Sequence, residues 1–189
     1  MPESIQIWQV VLFFISAAAV LDVSWRTLVH PRSHGFTRTF AWLAIAALVA
    51  LNLPVWFRKP LSWYQVLSWL LLIGSIYWVV AGLRQLRVAG QPDAARADDP
   101  ALIGLEKTTQ LATSGVYRYV RHPMYASLLF LAWGAFFKMP SLVGAGLALL
   151  ASLCLWLTAQ REERENIAFF GEPSREYMQQ TKMFVPYIL

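Results

Sequence analysis

Charged residues are scarce in this chain. Asp, Glu, Lys and Arg make up 14% of the 189 residues, whereas 57% are hydrophobic. An ordinary soluble domain carries about 25% charged residues, so the composition argues against one. Cysteine is nearly absent as well, and the single Cys154 excludes an internal disulfide bond. We expect Cys154 to be a buried, small apolar residue.

Several catalytic signatures are also missing. The chain has no Gly-x-Gly-x-x-Gly, no Gly-x-x-x-x-Gly-Lys-Ser/Thr, no Cys-x-x-Cys and no His-Glu-x-x-His. No serine lies in a Gly-x-Ser-x-Gly turn. These absences disfavour soluble nucleotide-binding folds, metallohydrolases and serine hydrolases, and we expect no metal site.

Long apolar runs are what the chain does contain, at residues 5–25, 40–57, 63–83, 124–137 and 142–157. A helix needs about 20 apolar residues to cross a bilayer, and the first three runs approach that length. Only residues 138–141 separate the last two runs, which predicts a helical hairpin. The fourth helix is long enough to span if it begins near Val116. The expected fold is an all-α integral membrane protein with about five transmembrane helices.

We divide this single membrane domain into two regions. Residues 1–83 hold three predicted helices, and residues 84–189 hold a polar loop, the hairpin and a polar tail. The part of the loop at residues 87–104 is rich in Gly, Pro, Asp and Ala, a composition typical of flexible segments. A signal peptide carries Lys or Arg before its apolar segment, and this chain has neither before its first apolar run. We therefore expect the first helix to be retained.

The distribution of basic residues predicts the orientation. With the N-terminus outside, the inner loops and tail carry thirteen of the sixteen Lys and Arg residues, and the outer loops carry only Arg58, Lys59 and Lys138. Cytoplasmic loops are enriched in basic residues, so this asymmetry places the C-terminus in the cytoplasm, in a bacterial inner membrane. Topology accounts for the net charge of +5, and nucleic-acid binding is not expected.

The first region has few polar groups. Asp22 lies one helical turn before Arg26, so we interpret the two as a structural ion pair at the membrane boundary. His30 and His34 lie in a stretch with Pro and Gly and have no further ligand residue at metal-binding spacing. We interpret both histidines as solvated loop residues.

The fifth helix is expected to continue beyond the bilayer. No Gly or Pro occurs between Leu147 and Phe170, and Gly171 and Pro173 then end the helix. At helical spacing Glu163 is the one acid in an apolar stripe on one face, which consists of Trp156, Ala159, Glu163, Ile167 and Phe170. Glu163 is therefore either a functional acid, the end of a stripe leaving the membrane, or the partner of a loop arginine. Glu162 and Glu165 lean toward neighbouring faces, where solvent or the arginines at 161 and 164 can serve them.

The stretch GVYRYVRHPMY at residues 115–125 is unusually polar for the start of an apolar run. Proline favours the first turn of a helix, so the fourth helix can begin at Pro123 with free amide donors facing the loop. Arg121, His122 and Tyr125 around that helix start suit a carboxylate or phosphate. Tyr117 and Tyr119 could stack on a flat ring. An interfacial belt of Tyr and Arg is the alternative, but it does not explain the spacing.

Two segments carry a family resemblance: ATSGVYRYVRHPMYASLL at residues 112–129 and, after one hairpin, REERENIAFFGEPSREYMQQTKMFVP at residues 161–186. Together they resemble the isoprenylcysteine carboxyl methyltransferase family of integral membrane enzymes, which use S-adenosylmethionine and are related to phospholipid methyltransferases. The match covers roughly residues 105–186, and two motifs in order with a hairpin between them make it specific.

The resemblance implies five helices, a C-terminal segment that closes over the cofactor, and a set of site residues. The implied cofactor-binding residues are Leu111, Gly115, Tyr117, His122, Pro123, Tyr125 and Tyr177. The implied catalytic residues at the reacting end are Glu163, Glu162 and Arg121. The implied partners are S-adenosylmethionine and a lipid or lipophilic acceptor, such as a prenylcysteine carboxylate, a lipid amine or a small thiol.

One position departs from the family pattern. Many members have an arginine five residues before the second glutamate, where it orients the substrate carboxylate, and here that residue is Thr158. Arg161 lies on a different face, so whether it substitutes is left open.

Two rival readings stay open. A membrane reductase of the sterol-reductase type would use NADPH, but beyond Arg118 and Lys107 the loop offers few phosphate-binding groups. A non-enzymatic membrane scaffold would use the motif only as an anchor, but the polar groups concentrate near one hairpin with no charged track through the helices.

Overall fold

The structure is a computed structural model that describes residues 5–89 and 111–186. Within these two ranges the helices are α1 (Ile7–Leu28), α2 (His34–Asn52), α3 (Trp63–Ala89), α4 (Pro123–Phe136), α5 (Leu142–Phe170) and α6 (Glu172–Gln180). Short 3-10 turns in the same ranges cover Leu53–Val55 and Gly115–Arg118. No strand occurs in the described ranges, which contain one isolated bridge between Val120 and Lys182. Most of the predicted loop at 87–104 lies outside the described residues.

The all-helical membrane architecture is confirmed. Four helices, α1, α2, α3 and α5, are long and apolar enough to cross a bilayer, and the fourth of the five predicted helices is shorter. This α4 has 14 residues because it begins at Pro123 and not near Val116. The 29 residues of α5 exceed the roughly 20 that a span requires, as expected for a helix with a polar extension.

Small residues let the central helices approach closely. The tightest packing joins α2 to α5 and α3 to α4, with α1 against α2. One core cluster of α2, α4 and α5 is built largely from the alanines Ala44, Ala132, Ala135, Ala148 and Ala151. By contrast, α3 exposes large apolar side chains such as Leu70 and Ile73. This outward apolar face is what a membrane-embedded helix requires.

The end of α5 follows the sequence prediction in part. The helix ends at Phe170, and Gly171 adopts a left-handed φ of 69° that favours glycine. Pro173, however, does more than prevent α5 from continuing, because it also lies in the first turn of the next helix, α6.

Two interpretations of polar residues in the first region are wrong. His34 is the first residue of α2 and is fully buried, so it is not a solvated loop residue. Its ring Nδ1 lies 2.5 Å from Glu165 Oε2 on α5, while its backbone N–H donates to Glu165 Oε1. Asp22 and Arg26 are both exposed, and no ion pair joins these two described residues.

Candidate active site

The segment before α4 is tied to the C-terminal tail by main-chain hydrogen bonds. Arg121 N–H donates to Lys182 O at 2.8 Å and His122 N–H to Met183 O at 3.1 Å, while Lys182 N–H donates to Tyr119 O at 3.2 Å. His122 caps α4, and Pro123 occupies the first turn, where its missing N–H costs nothing. The tail therefore holds Arg121 and His122 at the start of α4.

Glu163 is the centre of a buried charge cluster. Arg121 Nε donates to Glu163 Oε1 at 2.7 Å, and the two side chains are 12% and 11% exposed. His122 Nε2 lies 3.3 Å from the same oxygen. Arg121 Nη1 also donates to the carbonyls of Met178 and Thr181. One guanidinium thus joins α5, the start of α4 and the tail.

Glu162 has a different set of partners. The Tyr125 hydroxyl donates to Glu162 Oε2 at 2.5 Å, and His122 Nδ1 lies 3.8 Å from that oxygen. The rings of His122 and Tyr125 stack at 5.3 Å with 14° between their planes. His122 therefore lies between two carboxylates, with one ring nitrogen facing each.

Tyr177 on α6 fixes the loop from the other side. Its hydroxyl donates to the Tyr117 carbonyl at 2.6 Å. Burial raises the pKa of Tyr177 well above its ordinary range, although Arg121 works in the opposite direction. The phenol consequently stays protonated and remains a hydrogen-bond donor at neutral pH.

These groups line one cavity of about 840 Å³, including the space open to solvent. Its described walls come from the ends of α3, α4 and α5, the loop before α4, and α6. Nine of the ten predicted site residues line it: Leu111, Tyr117, Arg121, His122, Pro123, Tyr125, Glu162, Glu163 and Tyr177. Their assignment to cofactor binding and catalysis stays a prediction, but the structure brings them together.

Gly115, the tenth predicted residue, does not line this cavity. It begins the 3-10 turn with a φ of 61° and borders a neighbouring groove together with Tyr119. An added Cβ would lie 2.4 Å from Gln85 Oε1 on α3. Gly115 therefore allows the turn that carries Tyr117 to pack against α3, and its contribution to the site is indirect.

Sequence reasoning missed several lining residues: Leu86, Ala112, Met124, Asn166, Phe170, Ser174 and Met178. Asn166 could have been found, because it follows Glu162 and Glu163 by four and three residues on α5 and so shares their face. Phe170 belonged to the predicted stripe but was not assigned to the site. The others come from α3, the loop before α4, α4 itself and α6, and no local pattern joins them to α5.

Arg161, Glu165 and Thr158 do not line the cavity. Arg161 Nη1 donates to the carbonyls of Pro31 at 2.8 Å and Ser33 at 3.3 Å. Thr158 is fully buried and bonds the Thr37 hydroxyl at 2.9 Å. Arg161 is thus bound to the α1–α2 turn and lies outside the candidate cavity.

The chemistry of the cavity is that of two carboxylates, one paired guanidinium, an imidazole and neutral phenols. Within residues 5–89 and 111–186, no group of three or more His, Cys, Asp or Glu could hold a metal ion. Carboxylates beside aromatic rings suit a cofactor with a positive charge and a flat ring system.

Comparison with known proteins identifies a family that matches most of the helical region. A family model described as phospholipid methyltransferase matches residues 63–172, which are 110 of the 189 residues. The matched range contains the start of α4 and both carboxylates of α5.

Three curated relatives match shorter segments. The chain is 30% identical over 89 residues to methanethiol S-methyltransferase 1 of Bradyrhizobium diazoefficiens, covering 46% of this chain and 30% of that protein. It is 35% identical over 82 residues to protein-S-isoprenylcysteine O-methyltransferase of Schizosaccharomyces pombe, covering 41% and 34%. It is 31% identical over 78 residues to methanethiol S-methyltransferase of Crocosphaera subtropica, covering 40% and 29%. The chain thus spans about a third of the length of these relatives. No solved structure matches it.

Proposed function

Because the chain belongs to the phospholipid methyltransferase family, we propose that it transfers a methyl group from S-adenosylmethionine to a lipophilic or membrane-associated acceptor. The observation that carries this proposal is the joining of Arg121, His122, Glu162 and Glu163 around one cavity at the end of a membrane-spanning bundle. The names of the curated relatives support the same reaction type.

The residues present fit such a cofactor. The acidic pair on α5 offers negative charge to a sulfonium or an amino group, and the stacked rings of His122 and Tyr125 offer a flat apolar wall. When bound, S-adenosylmethionine supplies a methyl group activated by a positively charged sulfur, so catalysis depends on alignment and exclusion of water.

Each group then has a distinct task. Arg121 and His122 hold Glu163 in one position, and Arg121 also holds the tail across the cavity. Glu162 is more exposed than Glu163, at 21% against 11%, and it accepts a hydrogen bond from the Tyr125 hydroxyl. We therefore assign Glu162 as the proton acceptor and Glu163 as the group that orders the site.

The charges favour an acceptor that loses a proton. Among the described lining residues Arg121 is the one fixed cation, and it already serves Glu163 and two carbonyls. A carboxylate acceptor would add a third negative charge beside Glu162 and Glu163. A thiol or amine gives up a proton instead: its S–H or N–H proton would pass to Glu162 as its lone pair forms the new bond to the methyl carbon. The bond from that carbon to the sulfonium would break in the same step and release neutral S-adenosylhomocysteine. The acceptor class we propose is a lipophilic thiol or amine.

The test is methyl transfer from radiolabelled S-adenosylmethionine by protein purified in mild detergent. Three acceptors are compared: an alkyl thiol, phosphatidylethanolamine and a prenylcysteine. We expect transfer to the thiol or the amine, and a loss of at least about a hundredfold in Glu162→Gln. Glu172→Gln on exposed α6 is the matched control and should keep full activity. Transfer to the prenylcysteine alone would overturn the acceptor class, and the absence of transfer to all three, together with no binding of S-adenosylhomocysteine, would sink the proposal.

A further inference from the structure

Two polar side chains of the candidate cavity are not among the residues that the family resemblance implies. They are Asn166 on α5 and Ser174 on α6, and both line the cavity. Within residues 5–89 and 111–186, neither side chain forms a hydrogen bond to another residue. Polar groups in a folded protein ordinarily have partners, so two that lack one and face the same cavity are candidates for contact with a ligand.

Ser174 is the more deeply buried of the two, at 2% exposed. A hydroxyl that is withdrawn from water and left without a partner costs free energy. Among the described residues, Ser33 Oγ is sealed inside the protein without a partner, whereas Ser174 Oγ is not sealed. The open space beside Ser174 is the candidate cavity, so its hydroxyl is available to a ligand that lies there.

Asn166 lies on the same face of α5 as the two carboxylates. It follows Glu163 by three residues and Glu162 by four, which is one helical turn, or about 5 Å along the axis. The long apolar run of α5 ends before Gln160. The step from the carboxylates to Asn166 therefore leads away from the apolar part of the helix, toward the end that α6 follows.

This position favours contact with the methyl donor over contact with the acceptor. A lipophilic acceptor approaches from the apolar part of the bundle, whereas Asn166 and Ser174 lie on the polar side of the carboxylates. An amide and a hydroxyl are uncharged, and each can both donate and accept a hydrogen bond. They therefore suit the uncharged hydroxyls of a ligand better than its carboxylate, which binds most strongly to a cation.

Resting on the proposed function, we propose that Asn166 and Ser174 form a subsite for the ribose hydroxyls of S-adenosylmethionine. The ribose is joined to the sulfonium through one methylene carbon, so its hydroxyls are the uncharged polar groups nearest to the charge that the carboxylates attract. Its two neighbouring hydroxyls match one amide and one hydroxyl. Phe170 and Met178 follow Asn166 and Ser174 by four residues, also line the cavity and offer apolar contact to the adenine ring.

The test measures the Kd of S-adenosylhomocysteine by isothermal titration calorimetry with the full chain in mild detergent. Asn166→Leu keeps the size of the side chain but removes its hydrogen bonds, and Ser174→Ala removes only the hydroxyl. We expect the first to raise the Kd about tenfold and the second about fivefold. Both variants should keep the unfolding midpoint of the unmodified protein without ligand, because neither side chain bonds another described residue.

Two analogues of S-adenosylhomocysteine identify the part of the ligand that the subsite contacts. The 2′,3′-dideoxy analogue lacks both ribose hydroxyls, so both substitutions should change its Kd by less than about twofold. The 7-deaza analogue changes only the adenine ring, so both substitutions should weaken its binding as much as that of S-adenosylhomocysteine. Losses with the dideoxy analogue as large as those with S-adenosylhomocysteine would overturn the assignment to the ribose.

Gln179→Leu is the matched control, because Gln179 is an exposed amide on α6 that does not line the cavity. It should leave the Kd unchanged. If the unmodified protein binds S-adenosylhomocysteine and both Asn166→Leu and Ser174→Ala bind it equally well, the subsite is wrong and the proposed function stands. If the unmodified protein does not bind S-adenosylhomocysteine, the proposed function fails and the subsite fails with it.

Discussion

At the end of the bundle that holds the candidate active site, buried basic side chains contact carboxylates, whereas at the other end a buried lysine rests on aromatic rings. Arg121 meets Glu163 at 2.7 Å, and His34 meets Glu165 at 2.5 Å. Lys138 meets Trp69 and Gln65 instead. Contact with a carboxylate fixes geometry and balances the charge of a cation, whereas a cation–π contact stabilises a cation without balancing its charge. The first arrangement suits positioning for chemistry, and the second holds a buried lysine against neutral groups.

The contrast between the two ends of the bundle depends most strongly on Arg121. Removing one member of a buried ion pair leaves the other uncompensated, which costs about 3–5 kcal/mol. In Arg121→Gln we expect methyl transfer to fall by at least about a hundredfold, because Glu163 and the tail both lose their anchor. Initial rates and binding of S-adenosylhomocysteine should fall together.

Arg118→Gln is the control for that experiment. Arg118 is exposed and borders the neighbouring groove, not the candidate cavity, so its loss should change the rate by less than about twofold. A rate for Arg121→Gln within threefold of the unmodified protein would mean that the pair does not order the site.

The His34–Glu165 pair is expected to stabilise the fold without taking part in methyl transfer. The pair lies on the side of α5 that faces α2, whereas the candidate cavity lies on a different side of α5. Losing charge-assisted bonds to a buried imidazole costs about 2–3 kcal/mol, so His34→Gln and Glu165→Gln should each lower the midpoint by about 4–10 °C. S-adenosylhomocysteine should still bind below the new midpoint.

A double-mutant cycle provides the check on this pair. Because the two side chains share one interaction, the loss in the double variant should be smaller than the sum of the single losses. Strictly additive losses would show that His34 and Glu165 act independently.

The sequence could predict what depends on local pattern. Hydrophobic runs gave the helices, the hairpin followed from the short gap at 138–141, and helical spacing placed Glu163 on an inward face. The start of α4 at Pro123 follows from the restrictions that proline imposes. These features need no knowledge of which helices are neighbours.

What the sequence could not predict depends on contacts between distant segments. His34 and Glu165 are 131 residues apart in the chain, and Gln65 and Lys138 are 73 apart. A histidine near Pro and Gly resembles a loop residue until another helix buries it. Likewise, a lysine in a short turn resembles a solvated charge, and only the packing of α3 against α4 reveals the rings that cover Lys138.

The smallest expected effect is a pH dependence at Lys138. Its pKa lies near 8 in the folded protein against an ordinary value of 10.5, so between these pH values the unfolded chain binds more protons. Stability therefore rises with pH across that window, and the gain from this one group is about 2 kcal/mol between pH 7.5 and 9.5.

Lys138→Met isolates that contribution, because a thioether of similar length fits between two indoles and cannot titrate. The rise in midpoint from pH 7.5 to 9.5 should be about 4–8 °C smaller in the variant than in the unmodified protein. Identical pH profiles for both proteins would show that the rings and Gln65 fully compensate the buried charge. The two ends of the bundle would then not differ in the way proposed.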